Sequence, residues 1–471
     1  MDQQSIAFST GRAGEGPLIW AQLAIWDVFR WLPPDDTTLN LLVTCPVPAG
    51  RELPAVLDAL RRLVERHDSL HTVYVDTPDG PRQRVVPEGE VPLRLHDLDD
   101  LGDVGLEEAA GEIGEALRRP WFDIGADLPL RAAVLLRAGE PLLVLLAASH
   151  MAVDGSSLDI VRGDLANLLA DPPIVLEPGQ QPLERGEYER SDLGRRREAK
   201  ALAFWARHLD TLPISMIERV RGDGPPNLDW GLIQSPALAL AANSLAARHG
   251  IPPATALLGG TTLQLAAYTG EDDAALRMIV STRFRQASRG VVAAFNENAL
   301  FRLECPPDLR RTETVEQLLR RCADAALAAY LHCEYDPRAL EALFADLGRR
   351  RGVTPDGYCF FNDTRFGARD TPRWPRCRTR AGRAGRRPAA GDQAALAGDR
   401  PAAEGRQLLH VPHGPGRDGR DHAVRRARLL RPPRTAGLPD RPGTPGRPGR
   451  AGHDGDHGRA VRRGAIEPAV R

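Results

Sequence analysis

His150, Asp154 and Gly155 stand in the order His-x-x-x-Asp-Gly, directly after the apolar run 142–148. A histidine there suits general-base catalysis, because an imidazole of unperturbed pKa roughly 6.5 accepts a proton near neutral pH. Four residues on, Asp154 can point back to local backbone or to an arginine, and Gly155 lets the chain turn. The same residues also read as a polar strand end whose aspartate caps the next helix. Both readings stand on these residues alone. A metal centre has little support, since no second histidine or carboxylate set joins His150. The six cysteines (Cys45, Cys305, Cys322, Cys333, Cys359, Cys377) form no Cys-x-x-Cys pair and no Cys/His cluster, which argues against structural zinc and a disulfide framework. The glycine-rich loops GxGxxG and GxxxxGK[ST] are absent, so nucleotide binding has no motif behind it.

The elements that must position these residues follow from periodicity. Trp20, Leu23, Ala24, Trp26, Val28 and Phe29 line a helix face that Pro33-Pro34 ends. Residues 38–47 predict a strand, and 53–67 a helix with apolar residues at three- and four-residue spacing. Alternation predicts strands at 71–75 and 83–86 around an Asp79-Gly80 turn. A helix over 106–117 precedes two apolar strands, 130–136 and 142–148, joined by Gly139-Glu140. The second strand runs straight into Ser149-His150, and a helix begins near Ser156-Ser157. Residues 171–190, rich in Pro, Gly and Glu, read as the linker between two halves. Beyond them, helices are expected at 195–208, 244–249, 254–268, 315–330 and 337–347, the last stopped by Gly348. Strands are expected at 275–280, 299–302 and 358–361. This mixed order predicts a two-lobed α/β protein.

At 471 residues, 42% hydrophobic and 27% charged, the composition is globular. No apolar run reaches the roughly 18 residues a membrane-spanning helix needs, and the first 16 residues lack the order of a secretory signal. A cytoplasmic location is therefore expected. The net charge of -1 hides a split. Residues 1–370 carry 39 Lys+Arg against 54 Asp+Glu, a charge of -15, whereas residues 371–471 carry 23 against 9, a charge of +14. Arg, Gly and Pro fill 23, 16 and 13 positions of that tail, and its one aromatic residue is Trp374. Such a segment cannot supply a core. With no lysine and no aromatic interleaving it gives poor support to nucleic-acid binding. A shifted reading frame beginning near residues 370–380 accounts for it better. Read one nucleotide out of phase, the stretch 414–423 can encode Gly-Pro-Asp-Glu-Met-Val-Val-Thr-Met, a turn entering a strand.

Ser149-His150-Met151-Ala152-Val153-Asp154-Gly155 resembles the HHxxxDG signature of condensation domains of nonribosomal peptide synthetases, members of the chloramphenicol-acetyltransferase-like superfamily. Other pieces follow in the family's order. Trp20 to Trp31 resembles the opening helix, and the segment from Arg66-His67 to His71-Thr72 resembles RHxxLRT. Phe122-Asp123 through Leu130-Arg131 resembles FDxxxxPLxR, and Arg283 with Phe295-Asn296 resembles a later core motif. The resemblance covers about residues 17–366. It departs at Ser149, which replaces the first histidine, at His71, which replaces arginine, and at Val292 and Glu297.

The resemblance implies a two-lobed chloramphenicol-acetyltransferase-like α/β fold: an N-terminal lobe over 1–175, a C-terminal lobe over 176–370 that is incomplete, and an aberrant or disordered tail over 371–471. It implies condensation-type acyl transfer from a carrier thioester to an amine or hydroxyl. CoA-dependent O- or N-acyl transfer and a noncatalytic carrier-docking role are the alternatives. His150 would meet the acceptor nucleophile, either removing its proton or orienting it. Asp154 would pair with Arg283, which otherwise reads as a solvated strand-end charge, and Gly155 would make room for the substrate arm. Arg66 would be structural, while Ser149 and Asn296 are candidates for the channel. No metal or intrinsic cofactor is implied; phosphopantetheine would arrive on a peptidyl or acyl carrier protein or as part of CoA, and neither nucleic acid nor a membrane span is expected. As written, the tail should leave second-lobe strand edges without partners and the chain poorly folded or inactive.

Overall fold

The computed structural model describes residues 3–33, 36–102, 104–217, 231–353, 355, 358–365, 393–396 and 407–410. The first lobe runs β1 (Gln3–Ser9), β2 (Gly14–Pro17), α1 (Trp20–Trp31), β3 (Asn40–Pro46), α2 (Leu53–Arg66), β4 (Thr72–Val75), β5 (Arg82–Val85), β6 (Glu88–Asp97), α3 (Leu106–Arg118), β7 (Leu130–Arg137), β8 (Glu140–Ser149) and α4 (Gly155–Leu168). Its main sheet has the order β1-β6-β7-β8-β3, with β6 and β7 parallel and the other pairs antiparallel. β2, β5 and β4 make a second, smaller sheet.

The unbroken apolar character of β7 and β8 reflects cover on both faces. Val134, Leu136, Val144 and Leu146 pack against Leu60 and Leu63 of α2 and Val161 and Leu165 of α4. The alternate residues Ala133, Leu135, Leu145 and Ala147 pack on the other face against Ala109 and Leu117 of α3.

The second lobe repeats this layering. It runs α5 (Pro182–Arg190), α6 (Asp192–Leu209), β9 (Gly231–Gln234), α7 (Pro236–His249), α8 (Pro253–Thr269), β10 (Asp273–Ser281), β11 (Asn296–Glu304), α9 (Pro307–Thr312), α10 (Val315–Leu331), α11 (Pro337–Arg351), β12 (Cys359–Asp363), β13 (Gln393–Leu396) and β14 (Gln407–His410). The sheet order is β11-β10-β12-β14, and β13 pairs with β9. Leu276, Met278, Phe301 and Leu303 face Leu258 of α8 and Leu318 and Cys322 of α10. Ala275 and Leu300 face Trp205 of α6 and Leu340 and Phe344 of α11.

Several expectations change. The supposed linker 171–190 contains the helix α5, which begins with a proline in its first turn and buries Arg185 and Glu189. Gly348 lies inside α11; the helix ends at Gly352, whose φ of 71° is the left-handed conformation that glycine adopts without strain. β1, β2 and β6 were not expected. In β6 Pro92 interrupts the strand pattern, yet the strand pairs on both sides. The edge of β12 is also not left open. Phe360–Asp363 pairs antiparallel with Gln407–His410, a stretch of the 371–471 segment free of Gly and Pro. Most of that segment, including the stretch 414–423, lies outside the described residues.

Candidate active site

β8 ends where its chain is fixed at consecutive peptides. Ser149 N–H donates to Pro129 O at 3.0 Å, and His150 N–H donates to Leu39 O at 2.8 Å. The Ser149 carbonyl then accepts from Ala152 N and Val153 N, at 2.9 and 3.2 Å, which closes a tight turn. Ser149, Met151, Ala152, Val153 and Asp154 are buried, and His150 alone of these six residues is partly exposed. Its Nδ1 is shut off from solvent with no hydrogen-bond partner. Nε2 is therefore the nitrogen able to meet an incoming group.

Asp154 caps α4, its Oδ1 accepting from Ser157 N at 2.8 Å. Its Oδ2 accepts from Arg283 Nη1 at 2.7 Å and from Phe295 N at 2.9 Å. Burial alone would raise this carboxyl, but the Arg283 guanidinium and the two backbone donors outweigh it and hold the group below the ordinary aspartate value. Arg283 also donates to Ser281 Oγ, Ser157 Oγ and the carbonyls of Val291 and Ala293, and lies 4.6 Å from the Phe295 ring centroid. The pair joins the start of α4 to the segments leaving β10 and entering β11, so it ties one lobe to the other.

Gly155 is the first residue of α4 and does not take a left-handed φ. The turn is made by the bonds to Ser149 O, not by glycine's conformational freedom. Ser149 Oγ accepts from Met151 N at 3.3 Å, inside the turn. Asn296 opens β11, opposite Ser281 and half-buried. Arg66 belongs elsewhere: its Nε donates to Asp164 Oδ2 at 2.8 Å, and His67 Nε2 meets the same oxygen at 3.0 Å. These contacts fasten α2 to α4.

Sequence reasoning missed Ser157, Gln22 and Tyr74. Ser157 Oγ donates to Ala293 O at 2.7 Å and accepts from Arg283 Nη2 at 2.7 Å, so it extends the ion pair. Its signal was its place three residues after the capping aspartate. Gln22 had a signal too, as a polar residue within the apolar run of α1. It also missed a buried charge cluster. Arg185, 1% exposed, donates to Glu189 Oε1 at 2.7 Å and Glu334 Oε1 at 3.0 Å, and Glu189 Oε2 accepts from Trp20 N at 2.7 Å.

Among the described residues no group of three or more His, Cys, Asp or Glu is arranged to hold a metal, five cysteines are free thiols, and no helix is long and apolar enough to cross a membrane. A cavity of about 410 Å³ lies between α1, β4 and residues 121–125, lined by Trp26, Phe29, Tyr74 and Trp121 among others; His150 is not in its lining.

A model of the Condensation domain matches residues 13–352. The chain is 26% identical over 326 residues to a linear gramicidin synthase of Brevibacillus parabrevis, covering 67% of this chain and 4% of that protein. It is 26% identical over 335 residues to phosphinothricin tripeptide synthetase PhsC of Streptomyces viridochromogenes, covering 66% of this chain and 30% of that protein. The chain thus spans under a third of the length of either relative. Among solved structures, SgcC5 from Streptomyces globisporus superposes with a TM-score of 0.58 at 20% identity, covering 70% of this chain and 77% of that one. A starter condensation domain of rhizomide synthetase RzmA, in complex with C8-CoA, also gives a TM-score of 0.58 at 20% identity, covering 73% and 77%. These structures share the two-lobed fold.

Proposed function

The chain belongs to the condensation-domain family, and we propose that it transfers an acyl group from a carrier-bound thioester to an amine or hydroxyl acceptor, forming an amide or ester in natural-product biosynthesis. The observation that carries this reading is His150: it directly follows β8, has both neighbouring peptides hydrogen-bonded, and presents Nε2 from an otherwise buried turn. A neutral acceptor nitrogen or oxygen attacks the thioester carbonyl, the new C–N or C–O bond forms, and the C–S bond breaks. The acceptor proton passes to His150 Nε2 and then to the leaving thiolate. Holding the nucleophile in line at Nε2 contributes alongside proton removal. Asp154 and Arg283 touch no reactant; their buried pair keeps the turn and the start of β11 together. Donor and acceptor would arrive on phosphopantetheine arms of peptidyl or acyl carrier proteins.

A CoA-dependent O- or N-acyltransferase is the second reading, favoured by the C8-CoA complex of the rhizomide synthetase domain. The test is incubation with acyl-carrier and aminoacyl-carrier thioesters, followed by intact-protein mass spectrometry. Transfer lost in His150→Ala supports the proposal. Preference for free acyl-CoA supports the second reading, and tight carrier binding without turnover would reduce the chain to a docking module.

A further inference from the structure

Among the described residues no side chain bonds the His150 ring at Nδ1. In most base-assisted sites a third group holds the imidazole by its second nitrogen. Here Nδ1 is buried and has no partner, and the hydrogen bonds that fix this residue are those of the turn's backbone.

That backbone has a clamp. We infer that Tyr74 and Gln22 are positioning residues for His150, acting on it through the Met151 carbonyl. The Tyr74 hydroxyl donates to Met151 O at 3.1 Å, and Gln22 Nε2 donates to the same oxygen at 3.4 Å. Both bonds come from side chains of other elements. Tyr74 is 1% exposed, and Gln22 and Met151 are fully buried.

Each half of the clamp is itself fixed. Gln22 Oε1 accepts from Ile19 N at 3.1 Å at the start of α1, which turns the amide nitrogen toward Met151. Tyr74 N–H donates to Ile124 O at 2.7 Å while β4 pairs with β5. Burial pushes the Tyr74 phenol above its ordinary pKa, so it stays a donor. With His150 N–H held by Leu39 O and Met151 N–H by Ser149 Oγ, the clamp fixes the third peptide in succession. Its loss would leave a buried carbonyl short of its stronger donor, and the turn would relax to find another.

The catalytic part of this inference rests on His150 acting in acyl transfer; the positional part does not. The test is Tyr74→Phe in the full chain, which keeps the ring and removes one hydroxyl, with Gln22→Leu as the second arm. Histidine labelled with 13C at Cε1 reports ring position by NMR, the His150 signal being assigned by its absence in His150→Gln. The expected result is a shifted or broadened His150 signal, a kcat about tenfold lower from misplacement of the base, and KM within about twofold. A His150 signal that matches wild type in both variants overturns the clamp, whatever the activity. A perturbed signal with no acyl transfer in the wild-type chain keeps the clamp and removes the proposed function instead.

Discussion

Asp154 accepts three hydrogen bonds, two from backbone N–H groups and one from Arg283, while Arg283 spreads its donors over two hydroxyls and two carbonyls. Such a pair is costly to break from one side, because the remaining charge stays buried. Asp154→Asn should therefore destabilise the chain by about 3 kcal/mol, measured by urea unfolding, and replacing the nearby exposed Arg289 should leave stability within about 0.5 kcal/mol. The sequence supplied the residue types at this site and their order. What it could not supply was distance: Arg283 lies 129 positions from Asp154, and its pairing and its solvated alternative look alike in a single chain. Nor could spacing reveal that Gly155 is an ordinary helix start, or that Arg66 serves α2 and α4 and makes no bond to the His150 turn.

On the scale of elements, α5 explains why the linker expectation failed. Two of its four buried positions are charged, Arg185 and Glu189, and the others are Pro182 and Gly186, so no apolar stripe marks it as a helix that packs. It docks through ions: Arg185 between Glu189 and Glu334, with Arg197 also bonded to Glu334, and Glu189 on the first peptide of α1. Burial pushes the Glu189 carboxyl up to about 7 despite the pull of Arg185. Glu297 on β11 is also raised well above the ordinary glutamate value, by burial first and then by Glu189, Asp336 and Glu334, with Arg185 opposing. An acid whose pKa rises on folding contributes stability that is full below its unfolded value and lost as pH climbs through the folded one. His67, His96 and His208, held below their ordinary value, work in the opposite direction, so the carboxyl contribution is read as a difference. The thermal midpoint of the wild-type chain minus that of Glu297→Gln, neutral throughout, should fall as pH rises from about 5 to 8. A difference that grows over the same range would contradict this placement of the carboxyl.

For the whole molecule, both lobes are sheets covered on two faces, and that is why their central strands were legible as continuous apolar runs whereas β1, β2 and β6 were not. Gln3–Ser9 is short and half polar, and β6 carries a proline. The tail is the remaining difference, since β14 gives β12 a neighbour. Ending the chain at Arg365 should expose the β12 edge and raise concentration-dependent self-association, read by light scattering. The proposed acyl transfer turns on one imidazole. Its most direct test is the mass of an aminoacyl carrier protein after incubation with an acyl-carrier donor and either the full chain or His150→Ala, both confirmed folded by circular dichroism. The expected result is a gain equal to the donor acyl group with the wild-type chain and none with the variant. An equal gain with His150→Ala would contradict it.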